Sequence, residues 1–439
     1  MKGYNRWNYH PYTPLDWPEE TFYICRLAPG EDSFCGEWTG PKKATLRFGV
    51  CETTQHSAQT VTDNKFLIGG LEPETEYWFY LEDSAGNKSR IRRVRTGAVP
   101  GTVVNYLHPK DSYYSFSGSY LCSPSLVRLP SGALLASMDL FGHGAPQNLT
   151  LLFRSEDDGA TWQYVTDLFP CFWGKLFLHE GKLYMAANSR EYGDFLIGCS
   201  FDEGRTWSEP AVLARGSCCQ KADGLHKAPN GVLKAHGRLW IAVDYGSWTT
   251  GRFSNGLFSV ALNDDFMDAS NWSHTGFWQH DSALSGALDI AGAIEGNPVA
   301  APDGSVLNIL RYSENKALVL RTDPNKPETL PVFERVMEFP MGHTKFDIIP
   351  RNGIYYAFGN RLPMRATLSV YKSADLEHWS FVNDVLDYSH LDQQITAFQY
   401  PSVLIENSEA LILSRTALNG ADSFHDSNLI TFHRTGLDN

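Results

Sequence analysis

The chain has 439 residues, 42% of them hydrophobic and 20% charged, an ordinary globular composition that excludes disorder and collagen-like sequence. Lys and Arg number 37 against 50 Asp and Glu, a net charge of −13. That excludes a general nucleic-acid or anionic-membrane surface, which needs a basic stripe, and leaves room for a local basic pocket. No stretch approaches the roughly 18 apolar residues of a membrane span. The start, MKGYNRWNYHPY, has neither an apolar core nor a small-residue cleavage site. A cytoplasmic address is therefore expected, or a secreted one if a leader has been removed. Eight cysteines (Cys25, Cys35, Cys51, Cys122, Cys171, Cys199, Cys218 and Cys219) make no CxxC pair and no Cys/His metal spacing. A chain of this size folds without cross-links, so buried, reduced thiols are expected. No metal or other cofactor is expected, and no nucleotide fingerprint occurs.

In residues 1–100, short alternating runs (44–50, 75–83 and 89–97) are separated by turns rich in Pro, Gly and Asp. This pattern predicts a small antiparallel β-sandwich. Its Leu71-Glu72-Pro73-Glu74-Thr75-Glu76-Tyr77 run places a Tyr where the chain turns between sheets, so that its hydroxyl caps backbone. The motif resembles a fibronectin type III domain, which implies a spacer or packing module without chemistry of its own. Ala98-Val99-Pro100-Gly101 reads as the linker.

Residues 101–439 repeat. Ser155-Glu156-Asp157-Asp158-Gly159-Ala160-Thr161-Trp162 matches Ser200-Phe201-Asp202-Glu203-Gly204-Arg205-Thr206-Trp207, and Ser373 to Trp379 is a worn copy. In such a turn the Asp accepts local backbone N–H bonds, Gly supplies positive φ, and Trp buries its ring. Six strand–turn–strand units open near Ser123, Trp173, His226, Glu295, Lys345 and Gln399, which predicts an all-β chain ending in a six-bladed propeller. A strand near 102–118 should complete the last blade. In a propeller the residues that open each first strand converge on one axial hollow. These are Ser123, Trp173, His226, Glu295 with Asn297, Lys345, and Gln399 with Tyr400. The ends of the second strands add Asp139, His143, Asn188, Arg190, Asp244, Tyr245, Arg311, Asn360, Arg361 and Arg415.

The repeated turn is similar to the Asp box of sialidase-like propellers, and the chain resembles that family over roughly residues 105–436. The resemblance implies a Tyr nucleophile activated by Glu, an Asp acid/base, and arginines holding a carboxylate. Carried over by position, these are Tyr400, Glu295 and Asp139, with Arg311 and either Arg361 or Arg365 as arginines. Where the family reads Arg-Ile-Pro, this chain reads Cys122-Ser123-Pro124, and Ser cannot replace a bidentate guanidinium. A different acidic or deoxy sugar is therefore expected.

The leading functional expectation is an exo-acting glycoside hydrolase acting on an oligosaccharide or glycoconjugate. Glu295 and Tyr400 would attack, Asp139 or His226 would be the acid, and Arg311, Arg361 and Arg415 would bind an anionic group. A uronate lyase is the alternative, with His226 or Tyr400 as base and Lys345 or Arg311 neutralising the carboxylate. A glycan-binding propeller would instead stack sugars on Trp173, Tyr245 and Trp248.

Overall fold

The computed structural model describes residues 20–53, 56–217, 220–281, 283 and 293–437. Among the described residues the named elements are all β-strands apart from one short 3-10 turn, Ala269–Asn271. Among the described residues no helix is long and apolar enough to cross a membrane.

The first seven strands, from Tyr23–Pro29 to Arg92–Arg95, pair antiparallel into one nearly closed sheet. The expectation was two separate facing sheets. The difference lies at one tight hairpin: Asp63 and Asn64 take φ of 58° and 60°, the conformation a two-residue turn requires. Thr62 thereby pairs with Lys65 and joins the two rows of strands edge to edge. The Tyr77 hydroxyl accepts the Glu72 N–H at 3.0 Å, the capping bond expected from the motif.

This domain is packed onto the propeller rather than tethered to it. Phe34, Trp38, Phe66 and Phe79 share one apolar cluster with Tyr106, Leu418 and Leu429 of the last blade. Each such side chain, fully buried, stabilises by about 1.5–3 kcal/mol. Across the same junction the buried Arg92 guanidinium meets the Asp111 carboxylate at 2.5 Å and donates to the Ile24 carbonyl.

Six blades follow. Their innermost strands are Tyr120–Arg128, Phe172–His179, the pair Gly224–His226 and Leu233–Ala235, Ile294–Ala300, Asp347–Arg351 and Ala397–Glu406. Five blades have four strands. The third has six, because its inner and outer positions are each built from two pieces. Thr102–Tyr106 pairs with Leu429–Gly436 as the outer strand of the sixth blade, so the two ends of the propeller close on each other.

The boxed turns behave as their composition dictates. Asp157 accepts the Thr161 N–H at 2.8 Å and its hydroxyl at 2.5 Å, while Gly159 sits at φ 91°. Asp202 with Thr206 repeats the pattern, and Asp375 accepts the Glu377 and His378 N–H groups in the worn copy. Trp162 is 1% exposed. Cys25, Cys35, Cys122, Cys171 and Cys199 are free thiols, the Cys51 Sγ lies 3.3 Å from Thr53 Oγ1, and Cys218 and Cys219 lie outside the described residues.

Candidate active site

Four blades open on the same backbone device. Ser123, Trp173, Glu295 and Tyr400 have φ of 50°, 54°, 58° and 52°, and at each the pairing with the second strand slips by a residue. Such a bulge turns one side chain out of the sheet, here into the axial hollow. A left-handed conformation costs a non-glycine residue roughly 1 kcal/mol, which surrounding bonds must offset. The residue after each is Pro or Gly (Pro124, Gly174, Gly296, Pro401). At Gly296 a Cβ would collide with the Asn308 side-chain amide.

The offsetting bonds come from one repeated position, the residue opposite the strand opening on each second strand. It is occupied by Asp139, Asn188, Asp244, Arg311 and Arg415 in blades 1, 2, 3, 4 and 6. Asn360 follows the second strand of blade 5. Four of these residues latch the next blade. Asp139 accepts the Trp173 N–H at 2.7 Å, and Asp244 accepts that of Glu295 at 2.9 Å. Asn188 donates to the Leu225 carbonyl at 2.6 Å, and Asn360 to that of Phe398 at 2.7 Å. Arg311 and Arg415 depart from this pattern and face the hollow.

The hollow is a cavity of about 670 Å³. At one side the Tyr400 hydroxyl donates to Glu295 Oε1 at 2.8 Å, and Arg311 Nη1 reaches Glu295 Oε2 at 3.0 Å and the Tyr400 oxygen at 3.4 Å. The Glu295 backbone is fixed on both sides. Asp244 holds its N–H, and Asn230 donates to the carbonyls of Glu295 and Gly296 at 2.6 and 2.7 Å. Burial pushes the Glu295 carboxyl up, but the charges of Arg311 and His226 and the bonds from Arg311 and Tyr400 outweigh it and hold the group below its ordinary range. Burial, with the Glu295 charge, pushes the Tyr400 phenol up. At neutral pH the pair is a neutral phenol donating to an ionised carboxylate.

Two more guanidiniums surround Tyr400, Arg365 at 6.0 Å and Arg415 at 5.2 Å from its ring centre. Burial and the neighbouring Arg311 and Arg415 pull Arg365 down to about 10, against the opposing pull of Tyr400 and Glu295. Three guanidiniums beside one carboxylate leave this wall with excess positive charge, inside a chain that is acidic overall.

Across the cavity stand Glu191 and His226, which also line it. Glu191 accepts from Gln147 at 2.7 Å and Gln220 at 2.8 Å, and burial raises its carboxyl above the ordinary range. The His226 Nδ1 lies 3.1 Å from Asp244 Oδ2. Its ring packs at 4.4 Å from Trp173, whose indole, with that of Trp248, forms an aromatic wall.

Of the residues expected at the site, the structure brings together Glu295, Tyr400, His226, Arg311, Arg365, Arg415, Trp173, Trp248 and His143. It does not bring Asp139 there: its carboxylate has no exposure and accepts from Thr150 at 2.5 Å and from Trp173. Arg361 turns to the outer strand of its blade and grips Asp384 through two bonds of 2.8 and 2.7 Å. Lys345 is fully buried, bonded to Asp347 at 2.6 Å and to the Pro401 carbonyl. Gln399 is equally buried and accepts from Arg365 at 2.5 Å. Asn297 bonds the backbone of Phe346 and Ile348. Tyr245 is 40% exposed and rests on Phe277, on the opposite face of the strand from Asp244. Sequence reasoning missed Glu191, Gln147 and Gln220.

No family model matches the chain, and no curated protein does. Solved structures do match in fold. An α-L-arabinanase from Penicillium chrysogenum, in complex with arabinobiose, aligns with a TM-score of 0.51 at 15% identity, covering 77% of this chain and 98% of its own. A Hadza microbial sialidase aligns with a TM-score of 0.51 at 13% identity, over 95% and 97%. An α-L-arabinofuranosidase from Fusarium graminearum, bound to an iminosugar inhibitor, gives 0.52 at 11% identity, over 76% and 97%. The fold is thus the six-bladed propeller these glycosidases share.

Proposed function

We propose that the chain is an exo-acting glycoside hydrolase releasing a sugar that carries an acidic group. The observation that carries this reading is the Tyr400–Glu295 hydrogen bond inside a cavity walled by Arg311, Arg365 and Arg415. Ionised Glu295 takes the phenolic proton as the Tyr400 oxygen bonds to the anomeric carbon. The glycosidic bond breaks, and an acid delivers a proton to the departing oxygen. The deprotonated acid then takes a proton from water as it attacks the glycosyl–tyrosine, and Glu295 returns its proton to the leaving Tyr400 oxygen. A neutral phenol suits a substrate whose own negative charge would repel a carboxylate nucleophile, and fixed guanidiniums hold that charge bidentately. Glu191 fits the acid/base role better than Asp139, because it lines the cavity with burial favouring its protonated form, whereas Asp139 is sealed from the cavity and committed to Thr150 and the Trp173 N–H. The shared fold with glycosidases supports the reading.

The test is a panel of aryl glycosides of acidic sugars. Release of the aglycone with a new reducing end supports it, and binding without turnover contradicts it. A second reading, elimination at a uronate, is favoured by the His226–Asp244 pair, which orients a ring nitrogen as a base in the cavity that Arg311 also lines. An ultraviolet-absorbing unsaturated product would identify it, and His226→Ala would then damage turnover at least as much as Tyr400→Phe. For the N-terminal domain we infer a fibronectin type III module, supported by its tyrosine corner and the strand order.

A further inference from the structure

Besides the catalytic residues, the rim of the cavity carries a second cluster. His143, His425 and Asp426 bring one donor atom each to within 4.8 Å of one another. Asp426 Oδ1 lies 3.5 Å from His143 Nε2 and 2.9 Å from His425 Nδ1. A tetrahedral ion bound about 2.1 Å from nitrogen and oxygen donors sets them about 3.4 Å apart. Two of the three separations therefore already sit near the coordinating value. The third closes by rotation of His143, whose side chain is 75% exposed.

The loops that bring these groups together are held. Asn428 accepts from the Leu418 N–H and donates to the Leu418 carbonyl, cinching the loop that carries His425 and Asp426. The Asp426 N–H donates to Ser423, and Arg415 donates to the His425 carbonyl. Phe141 lies 5.2 Å from both imidazoles, which stack on each other at 5.9 Å with their planes 27° apart. The Asp426 carboxylate thus faces two roughly parallel rings from two different blades. Arg415 and Arg365 oppose a cation here, and the Asp426 carboxylate draws it.

We infer that His143, His425 and Asp426 form a binding site for one divalent cation of the zinc class at the mouth of the cavity. Two imidazoles and one carboxylate are the donor set that first-row divalent metals prefer, whereas calcium and magnesium take oxygen ligands throughout. Three protein donors leave a fourth position open. Because both histidines line the cavity, that position faces it and takes a water or an oxygen of a bound ligand.

The test uses the full chain without a purification tag, stripped by a chelator and dialysed. Zinc ion alone is then titrated in competition with a chelating dye. One zinc per chain is expected, with stoichiometric binding abolished in His143→Ala and in Asp426→Asn and retained in Glu295→Gln. Far-ultraviolet circular dichroism should match across the variants. Substitution by cobalt should give visible d–d bands without a thiolate charge-transfer band. No stoichiometric binding by the unaltered chain, undiminished binding in both rim variants, or a thiolate band that assigns the metal to cysteines would each overturn the site. Because binding is read without turnover, the outcome is independent of the hydrolase reading.

Discussion

Glu295→Gln is the sharpest perturbation of the proposed chemistry, because it preserves size and backbone preference while removing one charge. Glu295 is 5% exposed and accepts two bonds, at 2.8 Å from Tyr400 and 3.0 Å from Arg311. A hydrogen bond to a charged group contributes about 1.5–3 kcal/mol against about 0.5–1.5 for a neutral one, so neutralising the acceptor weakens two bonds by roughly 1 kcal/mol each. Arg311 also loses its buried counter-charge, although deleting the partner outright would cost more, about 3–5 kcal/mol. The expected destabilisation is about 2–4 kcal/mol at pH 7. Its pH dependence has a definite sign. Glu295 is held below its ordinary range, so its ionised form favours folding above the unfolded value of about 4.3. That contribution is lost as pH falls through the folded value, and the gap between variant and parent should close in acid. Turnover should fall about 10²- to 10⁴-fold through loss of the base. Denaturant unfolding from pH 3 to 8 and initial rates on an aryl glycoside check both. Near-parental turnover in a folded Glu295→Gln chain would refute the role of the base, and a stability gap that ignores pH would refute the ion-pair argument.

Other substitutions separate latch from site. Burial pushes Asp139 up to about 7, far above its unfolded value of about 3.9, so its charge opposes folding increasingly as pH climbs between those values. Asp139→Asn keeps an acceptor for the Trp173 N–H and should be more stable than the parent at pH 8, equal to it near pH 4, and active. A folded but inactive variant would restore Asp139 as the acid. Arg415→Lys exchanges a planar fork for a point charge and should raise KM by about 10- to 100-fold with a smaller change in kcat. An unchanged KM would remove Arg415 from substrate binding. Tyr77→Phe strips the acceptor from the Glu72 N–H and should cost about 1 kcal/mol in denaturant unfolding. An unaltered midpoint would show that the corner bond contributes nothing.

Much of the architecture was legible because repetition amplifies weak signals. The boxed turns at Ser155 and Ser200, and the recurring strand pairs, fixed blade number and phase, and phase alone led to Trp173, Glu295 and Tyr400. What sequence could not supply was backbone direction. Nothing in Glu295-Gly296 or Tyr400-Pro401 announces a left-handed residue that turns a side chain into the channel. Arg361 and Arg365 are four residues apart with similar neighbours. Arg365 has φ 63° and reaches Tyr400, while Arg361, in the bend after the second strand, turns toward Asp384. Glu191 lies in a short loop with no periodic mark, and only folding shows that it meets Gln147 and Gln220.

Two readings were within reach and were missed. Asp139, Asn188, Asp244 and Asn360 occupy equivalent places with Arg311 and Arg415. Aligning those six positions separates four short polar residues, suited to latching backbone, from two long cations. Tyr245 follows Asp244 along a strand, and successive side chains point to opposite faces, so both cannot face the hollow.

The central claim is that Tyr400 forms a bond to the sugar. A fluorinated glycosyl fluoride of the best acidic substrate slows breakdown of a covalent intermediate enough for peptide mass mapping. A sugar adduct on the peptide containing Tyr400, absent in Tyr400→Phe, is the result predicted. An adduct on Glu191 or Glu295, or hydrolysis of the probe with no adduct at any residue, would contradict it.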